Sequence, residues 1–176
     1  MKAANIEKLI SPDSIAVQVS NMANRIAKSM PSDLMIVVLL RGSFMFAADL
    51  VRALHAVGMH PQIDFLTVAS YGADTTSSGK VEVVRDLTES MKDRDVLIID
   101  DILDSGRTLQ FVMNLIRERG ARTIKTAVLL EKPGKRAVSV NADFVGFTVP
   151  DKFVVGYGLD HANFYRELPY IGAIID

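Results

Sequence analysis

The sequence predicts an α/β fold: a mostly parallel, twisted sheet flanked by helices, with a small hood built from the two chain ends. Three observations predict it. Continuous apolar runs of strand length occur at residues 34–40 and 96–99, and 124–130, apolar from Ala127 on, reads as a further buried strand; such runs mark strands buried on both faces. Segments with helical apolar spacing alternate with them, as a sheet covered on both sides requires. Two of the runs lead into small polar turns that open a helix, Arg41-Gly42-Ser43 and Asp104-Ser105-Gly106-Arg107-Thr108. In open α/β sheets that junction is where ligands sit.

Taken in order, Ser11-Pro12-Asp13 reads as a helix start, with Ser11 as N-cap and Pro12 at the first helical position. Ile15, Val19, Met22 and Ile26 follow at helical spacing, and Pro31-Ser32-Asp33 breaks the helix. Residues 34–40 form the first buried strand, and 44–57 a helix ending before Gly58. Residues 63–69 alternate partly and read as a strand, and strand character resumes at 81–84. The small polar stretch 70–80 between them has little apolar area to bury, which predicts a mobile loop. Residues 96–99 are the next buried strand. Its helix carries Leu109, Val112, Met113 and Ile116 on one face and stops near Gly120. After the strand 124–130, Phe144-Val145-Gly146-Phe147 and Phe153-Val154-Val155-Gly156-Tyr157 predict short strands. The expected organisation is one domain over 1–176, with a core at about 12–140 and a hood made of the N-terminal segment and about 141–176.

The 176 residues suffice for one core. A formal net charge of −1 gives no basic field for nucleic acid or anionic lipid. The chain has no cysteine, hence no disulfide framework, and this fits a reducing cytoplasm. The apolar runs fall short of the roughly 20 residues needed to span a membrane, and the first residues lack a signal-peptide core. A soluble, cytoplasmic protein is expected.

The chemistry concentrates at Asp100-Asp101-Ile102-Leu103-Asp104-Ser105-Gly106-Arg107-Thr108. Two carboxylates end an apolar run, and a third precedes a loop whose N–H groups and hydroxyls suit an anion. Acids for a metal or hydroxyls beside an anion cradle point to a ligand with both a phosphate and a sugar. If strand alternation continues, Asp100 and Asp101 face opposite sides and share no proton. Asp-Asp-x-x-Asp also occurs on helices of terpenoid synthases, but the β-branched run before it and Gly106 after it do not fit that context. Leu40-Arg41-Gly42 supplies a second anion site at the same sheet edge. Lys132 follows a buried strand, Phe153 has a ring able to stack on a planar heterocycle, and Asp160 to Arg166 adds an acid and a base. His161 has no second ligand at zinc spacing.

The segment from Ile99 to Leu109 resembles the phosphoribosyl-diphosphate (PRPP) signature of type I phosphoribosyltransferases. Leu40-Arg41-Gly42-Ser43, Ser70-Tyr71-Gly72, Leu130-Glu131-Lys132, Asp143-Phe144-Val145-Gly146-Phe147 and the segment from Pro150 to Tyr157 resemble the 6-oxopurine branch, the hypoxanthine-guanine phosphoribosyltransferase family. The match runs from about Ile36 to Arg166 in the family's order. The resemblance implies the type I phosphoribosyltransferase fold and transfer of the phosphoribosyl group from PRPP to N9 of hypoxanthine or guanine. It implies that Asp100 and Asp101 contact the ribose hydroxyls, directly or through Mg2+. Asp104 would be the catalytic residue facing purine N7. Ser105, Gly106, Arg107 and Thr108 would hold the 5′-phosphate. Leu40, Arg41 and Gly42 would bind pyrophosphate, often with a non-proline cis peptide before the Arg, and Arg166 would assist. Ser70 and Tyr71 would sit on a lid. Lys132 would donate to purine O6, Phe153 would stack, Val154 would offer backbone atoms, and Asp160 would reach a second magnesium. The family suggests homodimers or homotetramers.

Two departures stand out. Asp100 replaces the family's usual Glu, and His161 stands where many relatives carry Tyr. Two other readings stay open, a xanthine-preferring enzyme and a PRPP-sensing regulatory protein of the same fold. Lys132 as a donor argues against adenine, whose 6-amino group also donates.

Overall fold

A computed structural model describes residues 5–71 and 80–175. The elements are β1 (Asn5–Ile10), α1 (Pro12–Ala27), β2 (Met35–Leu40), α2 (Phe44–Ala56), β3 (Gln62–Tyr71), β4 (Lys80–Arg85), β5 (Asp95–Leu103), α3 (Arg107–Glu118), β6 (Thr123–Glu131), β7 (Phe144–Thr148), β8 (Val154–Val155) and β9 (Ile171–Ile175).

The helix signals act as the sequence indicated. Ser11 Oγ accepts the Ser14 N–H at 3.2 Å, and Pro12 opens α1. Ile15, Val19, Met22 and Ile26 are all buried on one face of α1.

The central sheet has the order β4-β3-β2-β5-β6-β7. β3, β2, β5, β6 and β7 are parallel, and β4 pairs antiparallel with β3 at the edge. The apolar runs are continuous because β2, β5 and β6 feed two cores. Ile36, Val38, Leu97, Ile99, Ala127 and Leu129 pack with Met22 and Ile26 of α1 and Leu50 and Leu54 of α2. Met35, Val37, Leu39, Val96, Ile98 and Val128 pack on the other side with Leu109, Val112 and Ile116 of α3. Each such side chain contributes about 1.5–3 kcal/mol by burial, so the middle of the sheet is its most strongly held part.

A second sheet, β1-β9-β8, is antiparallel. It joins the N-terminal strand to the C-terminal segment, as expected of the hood. The expected boundary near residue 141 shifts, because β7 pairs in parallel with β6 and belongs to the central sheet. A partner strand with free ladder groups captures it, a pairing that local pattern does not reveal. Within 153–157 only Val154–Val155 forms a strand, whereas β5 runs beyond residue 99 to Leu103. No helix among the described residues is long and apolar enough to cross a membrane.

Candidate active site

β2 and β5 are adjacent, but the chain leaves β2 toward β3 on one side and β5 toward β6 on the other. This is the point where strand order reverses, and a crevice opens there beyond the carboxyl ends of the strands. A cavity of about 310 Å³ occupies it, with a floor of Leu40, Arg41 and Gly42 from the first turn and the 100–106 segment from the second. Thus Leu40, Arg41, Gly42, Asp100, Asp101, Asp104, Ser105, Gly106 and Thr108 line one cavity. Val68, which the sequence did not single out, lines it too.

The Leu40–Arg41 peptide bond is cis. Gly42 lies hard against Asp101, and a Cβ there would stand 1.6 Å from Asp101 Oδ2. Gly106 caps α3 with φ of 81°, in the left-handed region that favours glycine. A Cβ on it would meet Val140 Cγ1 at 2.5 Å. The N-terminus of α3, whose first N–H groups have no partner within the helix, therefore opens at the cavity beside Ser105 and Thr108, suited to a phosphate. Arg107 is exposed and does not line the cavity.

Asp100 Oδ1 accepts the Asp101 N–H at 2.9 Å, and Asp101 Oδ1 accepts the Ile102 N–H at 2.8 Å. Each carboxylate thus turns to the next N–H along its own strand. Burial, then the Asp101 charge and hydrogen bond, push Asp100 well above the ordinary carboxyl value. Burial also pushes Asp101 up, countered by its hydrogen bonds and the positive charge of Arg166.

Lys132 does not line the cavity but is buried just beyond β6, and its N–H donates to the Leu103 carbonyl at 3.0 Å. Phe153 is 55% exposed on the hood, with its ring edge-on to His161 at 5.2 Å between centroids. Val154 is buried in the small sheet, paired with Ala173. Asp160 and Arg166, expected to act apart, form an ion pair of 2.6 Å, and Asp160 Oδ2 also accepts the Asn163 N–H at 2.7 Å. Arg166 donates to the Gly158 carbonyl at 2.6 Å. Ser70 and Tyr71 end β3, but their side chains and the proposed lid at 72–79 lie outside the described residues.

Sequence reading overlooked Arg136, whose guanidinium donates to the carbonyls of Leu103 and Asp104 at 2.8 and 2.7 Å. Its only signal was a third cation, after Lys132 and Lys135, in a Pro-Gly loop that follows a buried strand. Among the described residues no three His, Asp or Glu side chains gather as a preformed metal site. Asp100 and Asp101 nonetheless suit magnesium, which is commonly held by one or two carboxylates with substrate oxygens completing its shell.

The phosphoribosyl transferase domain family matches residues 13–162. The hypoxanthine-guanine phosphoribosyltransferase of Bacillus subtilis is 44% identical over 176 residues, covering 99% of this chain and 96% of the relative. A crystal structure of a hypoxanthine-guanine phosphoribosyltransferase from Bacillus anthracis superposes with a TM-score of 0.91 at 35% identity, covering 98% of this chain and all of that one. The Trypanosoma cruzi hypoxanthine phosphoribosyl transferase structure superposes equally well, TM-score 0.91 at 36% identity over 99% of this chain and 93% of its own. With a family model over most of its length and relatives of this identity along nearly the whole chain, this chain belongs to the hypoxanthine-guanine phosphoribosyltransferase family.

Proposed function

We infer that this chain transfers the 5-phosphoribosyl group from PRPP to N9 of a 6-oxopurine, hypoxanthine or guanine, forming the nucleoside 5′-monophosphate and pyrophosphate in purine salvage. The observation that carries this reading is the joining of both predicted turns in one cavity, with Asp104 at its edge beside the nest of α3. The 5′-phosphate would sit on the N–H groups of Ser105, Gly106, Arg107 and Thr108, and the ribose hydroxyls against Asp100 and Asp101. Breaking the C1–oxygen bond of PRPP leaves positive charge on the sugar and negative charge on pyrophosphate. Leu40 and Gly42 would offer backbone groups to that leaving group, and Arg41 and Arg166 would stabilise its charge.

Asp104 would take the proton from N7, which makes N9 the nucleophile toward C1. Lys132 would donate to O6, Phe153 would stack on the ring, and Val154 would present its backbone to the ring edge. Closure of a lid carrying Ser70 and Tyr71 would keep water from the activated sugar. Asp100 and Asp101 would hold Mg2+, which when bound offsets the negative charge of pyrophosphate. Asp160 would reach a second ion only by loosening its pairing with Arg166.

A homo-oligomer, dimer or tetramer, belongs to the same reading. The T. cruzi relative has been studied for the role of its C-terminal region in oligomeric state and activity. A cytoplasmic location also belongs to it, since the cysteine-free composition suits a reducing compartment.

Pyrophosphate release on mixing PRPP and magnesium with hypoxanthine, guanine and xanthine tests the reading. Turnover with hypoxanthine or guanine is expected, and a purified protein inactive with all three defeats it. Asp104→Asn keeps the size and removes the base. It should lower kcat by about 10²–10⁴-fold, and turnover within about threefold of wild type removes Asp104 from that role.

A further inference from the structure

Arg136 sits where the two halves of the proposed purine site leave the sheet. The last paired residues of β5 and β6 are Leu103 and Glu131. Beyond them the Lys132 N–H closes the ladder on the Leu103 carbonyl at 3.0 Å, and the two strands pass into separate loops. One guanidinium gathers the carbonyls at this junction. Arg136 Nη1 donates to the oxygens of Leu103 at 2.8 Å, Asp104 at 2.7 Å and Lys132 at 3.2 Å. Nη2 donates to Glu131 Oε2 at 3.3 Å, and Glu131 Oε1 accepts the Thr148 hydroxyl at 3.0 Å, which ties the group to β7. The following residue closes the strap, with the Ala137 N–H donating to the Ser105 carbonyl at 2.9 Å. Val138 and Val140 then fill the space a Gly106 Cβ would need.

Resting on the function proposed above, we propose that Arg136 is a positioning residue: by holding the backbones of Asp104 and Lys132 on one guanidinium, it sets the spacing with which they meet the N7/O6 edge of the purine. A 6-oxopurine presents N7 and O6 on one edge. Reading that edge needs a carboxylate and an ammonium at a fixed separation, yet these two side chains stand on different loops. Charge-assisted bonds to a planar fork fix both loops to the same rigid group. Lysine has the charge but a single donor centre on a flexible stem, and cannot hold three carbonyls and Glu131 together.

Arg136→Lys is the test, with Glu131→Gln as the milder variant that keeps Arg136 and weakens its anchor. A misplacement near 1 Å can cost about 10²-fold, so Arg136→Lys should lower kcat/KM for hypoxanthine by about that factor. The KM for PRPP should stay within about threefold, because the loop N–H groups remain in place. Amide hydrogen exchange on the ligand-free protein supplies a readout independent of turnover. Exchange should rise together at residues 103–104 and 132–136, by about tenfold, with Ser105, Gly106 and the rest of the sheet unaffected.

A folded Arg136→Lys with wild-type purine kinetics overturns the proposal. So does a rise in exchange confined to one loop, or a uniform rise across the sheet that marks simple destabilisation. If Arg136→Lys does not fold, the same two measurements on Glu131→Gln decide, with the same direction and a smaller amplitude expected. An inactive wild-type protein defeats the functional reading, while the exchange result still judges the linkage.

Discussion

Asp100 is the residue at which function and stability oppose each other. Its carboxyl is buried beside a second acid, so the folded state binds its proton more tightly than the unfolded chain, whose carboxyl titrates near the ordinary 3.8. The sign follows by linkage: the ligand-free protein loses stability as pH rises from that value through the raised one. Asp100→Asn removes the liability. We expect it to raise the Tm at neutral pH by about 2–4 °C, the shift of one kcal/mol in a domain of this size, and to flatten the pH dependence of Tm above pH 4 or so. A Tm that falls contradicts the assignment. The sequence ended the strand at Ile99 and put this pair just beyond it, whereas both acids lie inside β5. Period-two alternation describes where Cβ atoms point. It does not describe a short carboxylate turning back to the next N–H, which is what both acids do.

Arg136 was illegible for a related reason. A cation in a loop is solvated surface unless something nearby lacks partners. Two of the carbonyls it serves, on Leu103 and Asp104, come from residues about 30 positions earlier in the chain, and only the pairing of β5 with β6 brings them within reach.

Among the elements, the hood docks on the first anion turn backbone to backbone. A Cβ on Gly158 would stand 2.2 Å from the Gly42 carbonyl oxygen, and Gly158 has φ of +100°. The Arg166 guanidinium and carbonyl both bond Gly158 from behind. The neighbouring Tyr157 donates its hydroxyl to Asp49 of α2, a contact that burial and the carboxylate together stabilise in the protonated phenol. Gly158→Ala therefore pushes the hood away from the Arg41-Gly42 turn. It should destabilise the protein by about 1–3 kcal/mol in urea melts, the usual cost of overpacking, and raise the KM for pyrophosphate in the reverse reaction. Unchanged values on both counts show that the hood does not rely on this approach. The sequence ended a short strand at Tyr157 and gave Gly158 no role of its own, because close approach between distant backbones has no local signature.

For the molecule as a whole, the edge of the sheet is held by a buried acid far from the site. Burial pushes Asp64 up, but its bonds from the N–H groups of Glu89, Phe65 and Thr88 and from the Thr88 hydroxyl outweigh this and hold it below 3.8. The stability it contributes is present above the ordinary carboxyl range and is lost as pH falls through the lowered value. Asp64→Asn should cost about 1–3 kcal/mol at neutral pH, the range for hydrogen bonds to a charged group, and the deficit should shrink as both proteins are taken below pH 3.8. Equal urea midpoints at neutral pH contradict this.

What the sequence by itself determined was everything set by local period and local chemistry. The strands with two apolar faces, the Ser11-Pro12 helix start and both ligand turns depend on neighbours a few residues apart, and backbone sterics and burial act at that range. Only the tertiary structure decided that β4 pairs antiparallel at the sheet edge, that β7 joins the central sheet, that Asp160 pairs with Arg166, and that one arginine gathers the carbonyls of two loops. Each of those depends on which unsatisfied polar groups and exposed strand edges meet once the strands are ordered, and strand order follows from the packing of the whole chain.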